Sequence, residues 1–149
     1  MTTSTTTCRV RRRRRGISLL ELAIVALIIG ILASMSLPSF QRGLEQSRTD
    51  LAAANLRAIW TAQRIYWLEH RVYAADLPTL MADDLLDHAV TELPSFSFNV
   101  TQADANTFTA VATRDANARW NGALSIDQTG TLLGSLACDG LPDIVPTYH

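Results

Sequence analysis

The chain has no lysine: all thirteen of its basic residues are arginine. It has two cysteines, Cys8 and Cys138, too few for a disulfide-stapled scaffold. Its three histidines, His70, His88 and His149, are scattered and form no metal-ligand pair. No motif sets a base beside a serine or cysteine, no glycine-rich loop is built to cradle phosphate, and no internal repeat is visible. These absences remove the usual grounds for an enzyme or a nucleotide-binding module. Positive charge is scarce outside one short run. Six arginines (Arg9 and Arg11 to Arg15) precede Gly16, leaving seven against all fourteen acids beyond it, a net of −7. A basic tip and an acidic body argue against nucleic-acid binding, which needs a basic surface for phosphate.

What the chain does have is a long apolar run. After Arg11 to Arg15 and Gly16, residues Ile17 to Leu37 are apolar or small except for Glu21, and Pro38 closes the run. A helix over this stretch spans about 31 Å, the thickness of a hydrocarbon core of about 30 Å. A secretory signal has a shorter apolar region, about 7–15 residues, and a small-x-small cleavage site. Ala33-Ser34-Met35 is a poor one. A buried core helix rarely carries five arginines against its first residue. A membrane anchor is the best fit, with the arginines on the cytoplasmic side and the body outside. Glu21 is then the informative residue, because a carboxylate in the apolar layer costs a few kcal/mol. Either it lies close enough to the interface to reach water, or it has a charge partner.

The segment Arg11 to Gln41 resembles the N-terminus of the type IV prepilins, the superfamily of pilus subunits and type II secretion pseudopilins. Gly16 matches the residue before the prepilin peptidase cut, and Ile17 the first mature residue, where the family most often has Phe. Glu21 stands at the fifth mature position, and Gly30 and Pro38 at the fourteenth and twenty-second. The resemblance implies several things. Residues 1–16 form a cytoplasmic leader that is cut off, and Ile17 is N-methylated. Glu21 pairs with the amine of a neighbouring subunit and sets register during assembly. Gly30 and Pro38 mark a helix kink, although Pro38 also fits a simple end to the membrane segment. The partners implied are the prepilin peptidase, other pilin or pseudopilin subunits, an inner-membrane assembly platform and the lipid bilayer. The subunit spans the inner membrane once, body in the periplasm, before entering a pilus or pseudopilus. With the leader gone only Cys138 remains, so no internal disulfide forms and Cys138 is expected as a partly buried free thiol.

Residues 38–72 continue the helical pattern. Leu44, Leu51, Ala58, Ile65 and Val72 recur every seven residues, with Ala54, Thr61 and Leu68 in a neighbouring stripe. This stripe is expected to pack on a sheet, a coiled-coil partner being the weaker option. Glu45, Arg48, Asn55 and Gln63 occupy much of the remainder. Trp60 and Trp67 share a face, by default toward the core.

Residues 73–149 hold a connecting region and a sheet. Asp76-Leu77-Pro78 reads as a capped helix start. Asp83, Asp84 and Asp87 lack an EF-hand spacing and read as a solvated acidic turn. Strands are expected at Ser95–Val100, Thr107–Thr113, Ala123–Asp127 and Thr131–Leu133, and Gly134 to His149 as a loop. Major secretion pseudopilins carry a calcium loop near the C-terminus, for which Asp139 and Asp143 are the candidates, but their spacing does not establish one. No cofactor is expected. The expected fold is therefore α+β and pilin-like, a long N-terminal helix on a small antiparallel sheet. The expected function is a structural subunit of a type IV pilus-like filament. The alternatives are a type II secretion pseudopilin, a membrane-anchored periplasmic domain that never polymerises, and a secreted protein freed of its signal.

Overall fold

The structure, a computed structural model, describes residues 18–115 and 119–147. One helix, α1, runs Leu19–His70, and the segment up to Ser39 and the body from Phe40 onward are separate compact units. In the N-terminal unit the described side chains are exposed. Ten large apolar residues between Leu19 and Leu32 are among them, Leu19 at 85%.

In the body, α1 from Phe40 is covered on one side by a five-stranded antiparallel sheet of order β1-β2-β3-β4-β5. The strands are β1 (Phe96–Ala103), β2 (Phe108–Arg114), β3 (Asn121–Asp127), β4 (Leu132–Cys138) and β5 (Leu141–Ile144). Their period-two alternation puts Phe96, Val100, Phe108, Ala110, Ala112, Leu124, Ile126 and Leu136 in the core. The expected loop after Gly134 is instead the rest of β4 and all of β5. Two features concealed it. Cys138-Asp139-Gly140-Leu141 is a tight reversal, with Gly140 at φ 78°, and not the start of a long loop. Pro142 lies in β5, an edge strand, where a missing N–H leaves no ladder bond unmade.

The helix ends without a glycine. Arg71 itself takes the left-handed conformation, φ 60°, and its N–H donates to the Trp67 carbonyl at 2.9 Å. Helix α2, Leu77–Ala82, starts as expected: the Asp76 carboxylate accepts from Thr79 N at 2.9 Å and Thr79 Oγ1 at 2.6 Å, with proline in the first turn.

The face that α1 turns to the sheet differs from the expected one. It is Glu45, Thr49, Ala52, Ala53, Leu56, Ile59, Ala62 and Gln63, all buried. The seven-residue stripe lies outward, with Leu44 at 46% exposure, Leu51 at 49% and Ile65 at 39%, and Leu68 and Val72 exposed beside them. Two facts account for the exchange. The buried side is itself mainly apolar, through Ala52, Ala53, Leu56, Ile59 and Ala62. Its polar members are also satisfied, which makes their burial tolerable. Gln63 donates from Nε2 to the Ala74 carbonyl at 2.9 Å and accepts from Ala74 N at 2.8 Å. Glu45 meets Arg114 of β2, Nε to Oε1 at 2.6 Å.

Candidate functional site

Two regions bear on function, one in each unit. In the first, Gly16 and Ile17 lie outside the described residues. The helix is under way immediately after them, with Leu22 N donating to the Ser18 carbonyl at 3.0 Å. Glu21 sits in the first turn of α1, exposed, and has no ion-pair partner among the described residues. A carboxylate there is favoured by the free N–H groups at a helix start. Gly30 stands in open space, with nothing within 4 Å of where a Cβ would be. The helix does not end at Pro38: α1 continues through both Gly30 and Pro38 to His70. Its apolar N-terminal stretch is exposed, and by length and composition α1 is able to cross a membrane.

In the second region, the body grips α1 at three places. The first is the Glu45–Arg114 pair, where helix burial begins. The guanidinium of Arg114 also donates Nη1 to the Ser95 carbonyl at 2.8 Å and lies 5.4 Å from the Phe96 ring centre. Arg48 adds an outer contact to Glu45 at 3.2 Å. The second is the chain end. Gln46 Nε2 donates to the Val145 carbonyl at 2.9 Å, and Thr147 donates from N and Oγ1 to Asp50 at 2.8 and 3.1 Å. The third is a pair of tryptophans. Trp67 Nε1 donates to the Ala105 carbonyl at 2.8 Å, in the β1–β2 tip, and Trp60 Nε1 to the Gln128 carbonyl at 3.2 Å, in the β3–β4 tip. Seven residues of helix advance about 10.5 Å, and the two tips are two strands apart, about 9.6 Å. The tryptophan spacing therefore fits the step of the meander.

Each tip is tied by its own aspartate. At Asp104 the backbone N–H groups of Asn106 and Thr107, then the Thr107 hydroxyl, hold the carboxyl below its ordinary 3.8. At Asp127 the Thr129 hydroxyl is the main cause of a lowered value, backed by the N–H groups of Thr129, Thr131 and Gly130. Asp76 is lowered from 3.8 as well, by the Thr79 hydroxyl and then its N–H.

Beside the tryptophans run Arg57, Arg64 and Arg71, all exposed. Arg64 lies 5.8 Å from the Trp60 ring centre and Arg71 5.0 Å from that of Trp67. Among the described residues none of the three has a carboxylate partner. A cleft of about 370 Å³ opens there between Arg57, Trp60, Thr61, Ile126, Thr129 and Gly130. A second cleft, about 440 Å³, is lined by Arg119, Asn121, Ala137, Cys138 and Asp139. Neither holds a nucleophile beside a base. Cys138 is buried and free. Asp143 accepts from Ser135 Oγ at 3.2 Å, and Asp139 stands in the β4–β5 turn; among the described residues no three acidic, histidine or cysteine side chains converge as metal ligands. The arginine row and the buried Glu45 and Gln63 escaped the sequence reading. The arginine spacing was visible in it.

Residues 11–37 match the family model described as the prokaryotic N-terminal methylation motif. Over 66 residues, 44% of its length, the chain is 41% identical to the type IV major pilin protein PilA of Myxococcus xanthus. Over 63 residues, 42% of its length, it is 32% identical to the type II secretion system core protein G of Pseudomonas aeruginosa. A third similarity, to core protein G of Escherichia coli, is 28% identity over 99 residues, 58% of this chain and 68% of that protein. The chain spans 30% of the Myxococcus protein and 44% of the Pseudomonas protein.

Proposed function

We propose that the chain is a structural subunit of a type IV pilus-like filament, cut by a prepilin peptidase after Gly16 and polymerised through α1. The observation that carries this is the state of α1 between Leu19 and Leu32: ten large apolar side chains are exposed, with Glu21 the single charge. Such a surface needs lipid or other apolar helices around it. A membrane accommodates it before assembly, and the same segments of neighbouring subunits do so afterward. The methylation-motif match over residues 11–37 supports cleavage ahead of Ile17 and methylation of its new amine. In the apolar layer that amine and the Glu21 carboxylate attract strongly, so an incoming subunit is held in register when its Glu21 reaches the amine of its neighbour. Gly30 and Pro38, which lack strong helix propensity, give the segment freedom to bend or loosen as it leaves the bilayer. The outward stripe Leu44, Leu51, Ile65 and Val72 extends the apolar contact surface into the body.

The chain acts in this account as substrate of a peptidase and as building material. The body lies in the periplasm and then in the filament. A pseudopilus of type II secretion is the second reading, favoured by the longer stretch matched in core protein G of Escherichia coli. The test is assembly of the full chain in a host supplying the peptidase and assembly machinery. Wild-type protein is expected in the sheared filament fraction. Glu21→Ala is expected to be cut normally and to accumulate in the membrane instead. Quantitative retention of wild-type protein in the membrane as monomer overturns the proposal.

A further inference from the structure

The body is acidic, yet Arg57, Arg64 and Arg71, which have no carboxylate partner among the described residues, form one row on α1. Successive members are two helical turns apart, about 10.5 Å along the axis. Two of them lie over tryptophan rings, which pre-position the guanidinium groups along the ridge. Nothing in the described body neutralises the row. The opposite charge is on the far side of the same helix. Asn55 Nδ2 donates to the Val90 carbonyl at 2.8 Å, which fastens the segment after α2 to α1. That segment presents Asp83, Asp84 and Asp87, all exposed. Asp87 caps the short helical turn His88–Val90 through Ala89 N, whereas Asp83 and Asp84 have no ion-pair partner among the described residues. At about 100° per residue, Asn55 and Arg64 point to opposite sides of α1.

We infer that the Arg57–Arg64–Arg71 ridge of one subunit docks the Asp83–Asp84 segment of a second copy of this chain. The two surfaces are different and lie on opposite flanks, so the contact is head-to-tail. Unless the rotation closes a ring, such a contact propagates as an open helical array. A second copy is favoured over a nucleic acid because a body with seven arginines against thirteen acids, a net of −6, repels a long polyanion. A short acidic segment on an otherwise matching surface meets only the ridge. The inference rests on the filament-subunit reading and adds to it the lateral contact outside the apolar helix.

The experiment uses the full chain in filament-forming cells. One variant reverses the ridge, Arg57→Glu with Arg64→Glu. A second reverses the acidic segment, Asp83→Arg with Asp84→Asn, the asparagine tolerating the left-handed backbone there (φ 60°). A third combines both. Each single-sided variant is expected to lower filament yield at least about tenfold, and the combination to recover it to within about twofold of wild type. Because a reversal can act by unfolding the body, a second measurement decides independently. Arg64→Cys with Asp83→Cys in one chain is oxidised in intact filaments. It is expected to give a ladder of dimers, trimers and longer species that neither single cysteine variant gives. Filaments that form normally with both sides reversed singly, or that give no ladder, overturn the inference and leave the filament reading standing. The same ridge reversal is also passed over single-stranded DNA: retention of the wild-type chain that Arg57→Glu with Arg64→Glu abolishes, with filaments unaffected, overturns the inference in favour of a polyanion. If the wild-type chain forms no filament, both fall.

Discussion

Replacing Glu45 with alanine removes the partner of Arg114 and leaves a guanidinium in the core. Side-chain exposure is 4% for Glu45 and 5% for Arg114, so water does not reach either group freely. Arg114 keeps its bond to the Ser95 carbonyl, but Nε and Nη2 lose theirs. Breaking a buried pair from one side costs about 3–5 kcal/mol, mostly from the charge left behind. The outer contact adds little, since Arg48 is 51% exposed and a pair of that kind contributes about 1 kcal/mol at most. Against a domain stability of about 5–15 kcal/mol, the loss is large, and it corresponds to about 10–25 °C in Tm. Removing both charges should cost less than removing one: Glu45→Leu with Arg114→Leu leaves no orphan, and apolar replacements of buried pairs are often neutral or stabilising. The assay is urea unfolding of the full chain in mild detergent, followed by tryptophan fluorescence, with the two single variants and the double variant compared. A Glu45→Ala cost below about 1 kcal/mol, or a double variant less stable than both singles, refutes the reasoning.

Gln63→Leu is expected to cost about 2–4 kcal/mol in the same assay, because the N–H and C=O of Ala74 each lose their buried partner. Gly134→Ala is expected to cost at least about 2 kcal/mol, since Gly134 has φ 114° and an added Cβ runs into the Ala123 carbonyl of the adjacent strand. Stability should fall in acid. Asp76, Asp104 and Asp127 bind protons more weakly folded than unfolded, so their contribution is complete above the ordinary value of 3.8 and disappears as pH falls through the lowered folded values. A Tm series from pH 2 to pH 7 checks this, and Asp127→Asn should flatten part of its acid limb.

The architecture was largely readable from the amino acids because its signals are local. The apolar run, the Asp76 cap and the alternation in β1 and β2 each depend on a few neighbouring residues. The parts that escaped depend on distant partners. Glu45 reads as a solvent-facing residue until Arg114, far along the chain, is placed beside it. Gln63 reads the same way until the backbone at Ala74 folds back on it. The orientation of α1 followed from those two satisfied polar groups, and the more apolar stripe was left outside. The last strand was hidden by Gly140 and Pro142, residues that break a central strand and suit a tight turn and a sheet edge. On the functional side, Gly16, Ile17, Glu21, Gly30 and Pro38 were legible through the resemblance to prepilins, because the roles proposed for them belong to an extended segment that needs no tertiary contact within one subunit.

The most direct measurement is the N-terminal sequence and mass of the protein from cells with and without prepilin peptidase. The account predicts a terminus at Ile17, one methyl heavier than the bare chain, and an uncut Arg11–Arg15 run when the peptidase is missing. An intact leader in the presence of the peptidase, or a terminus beyond Ser34, contradicts it.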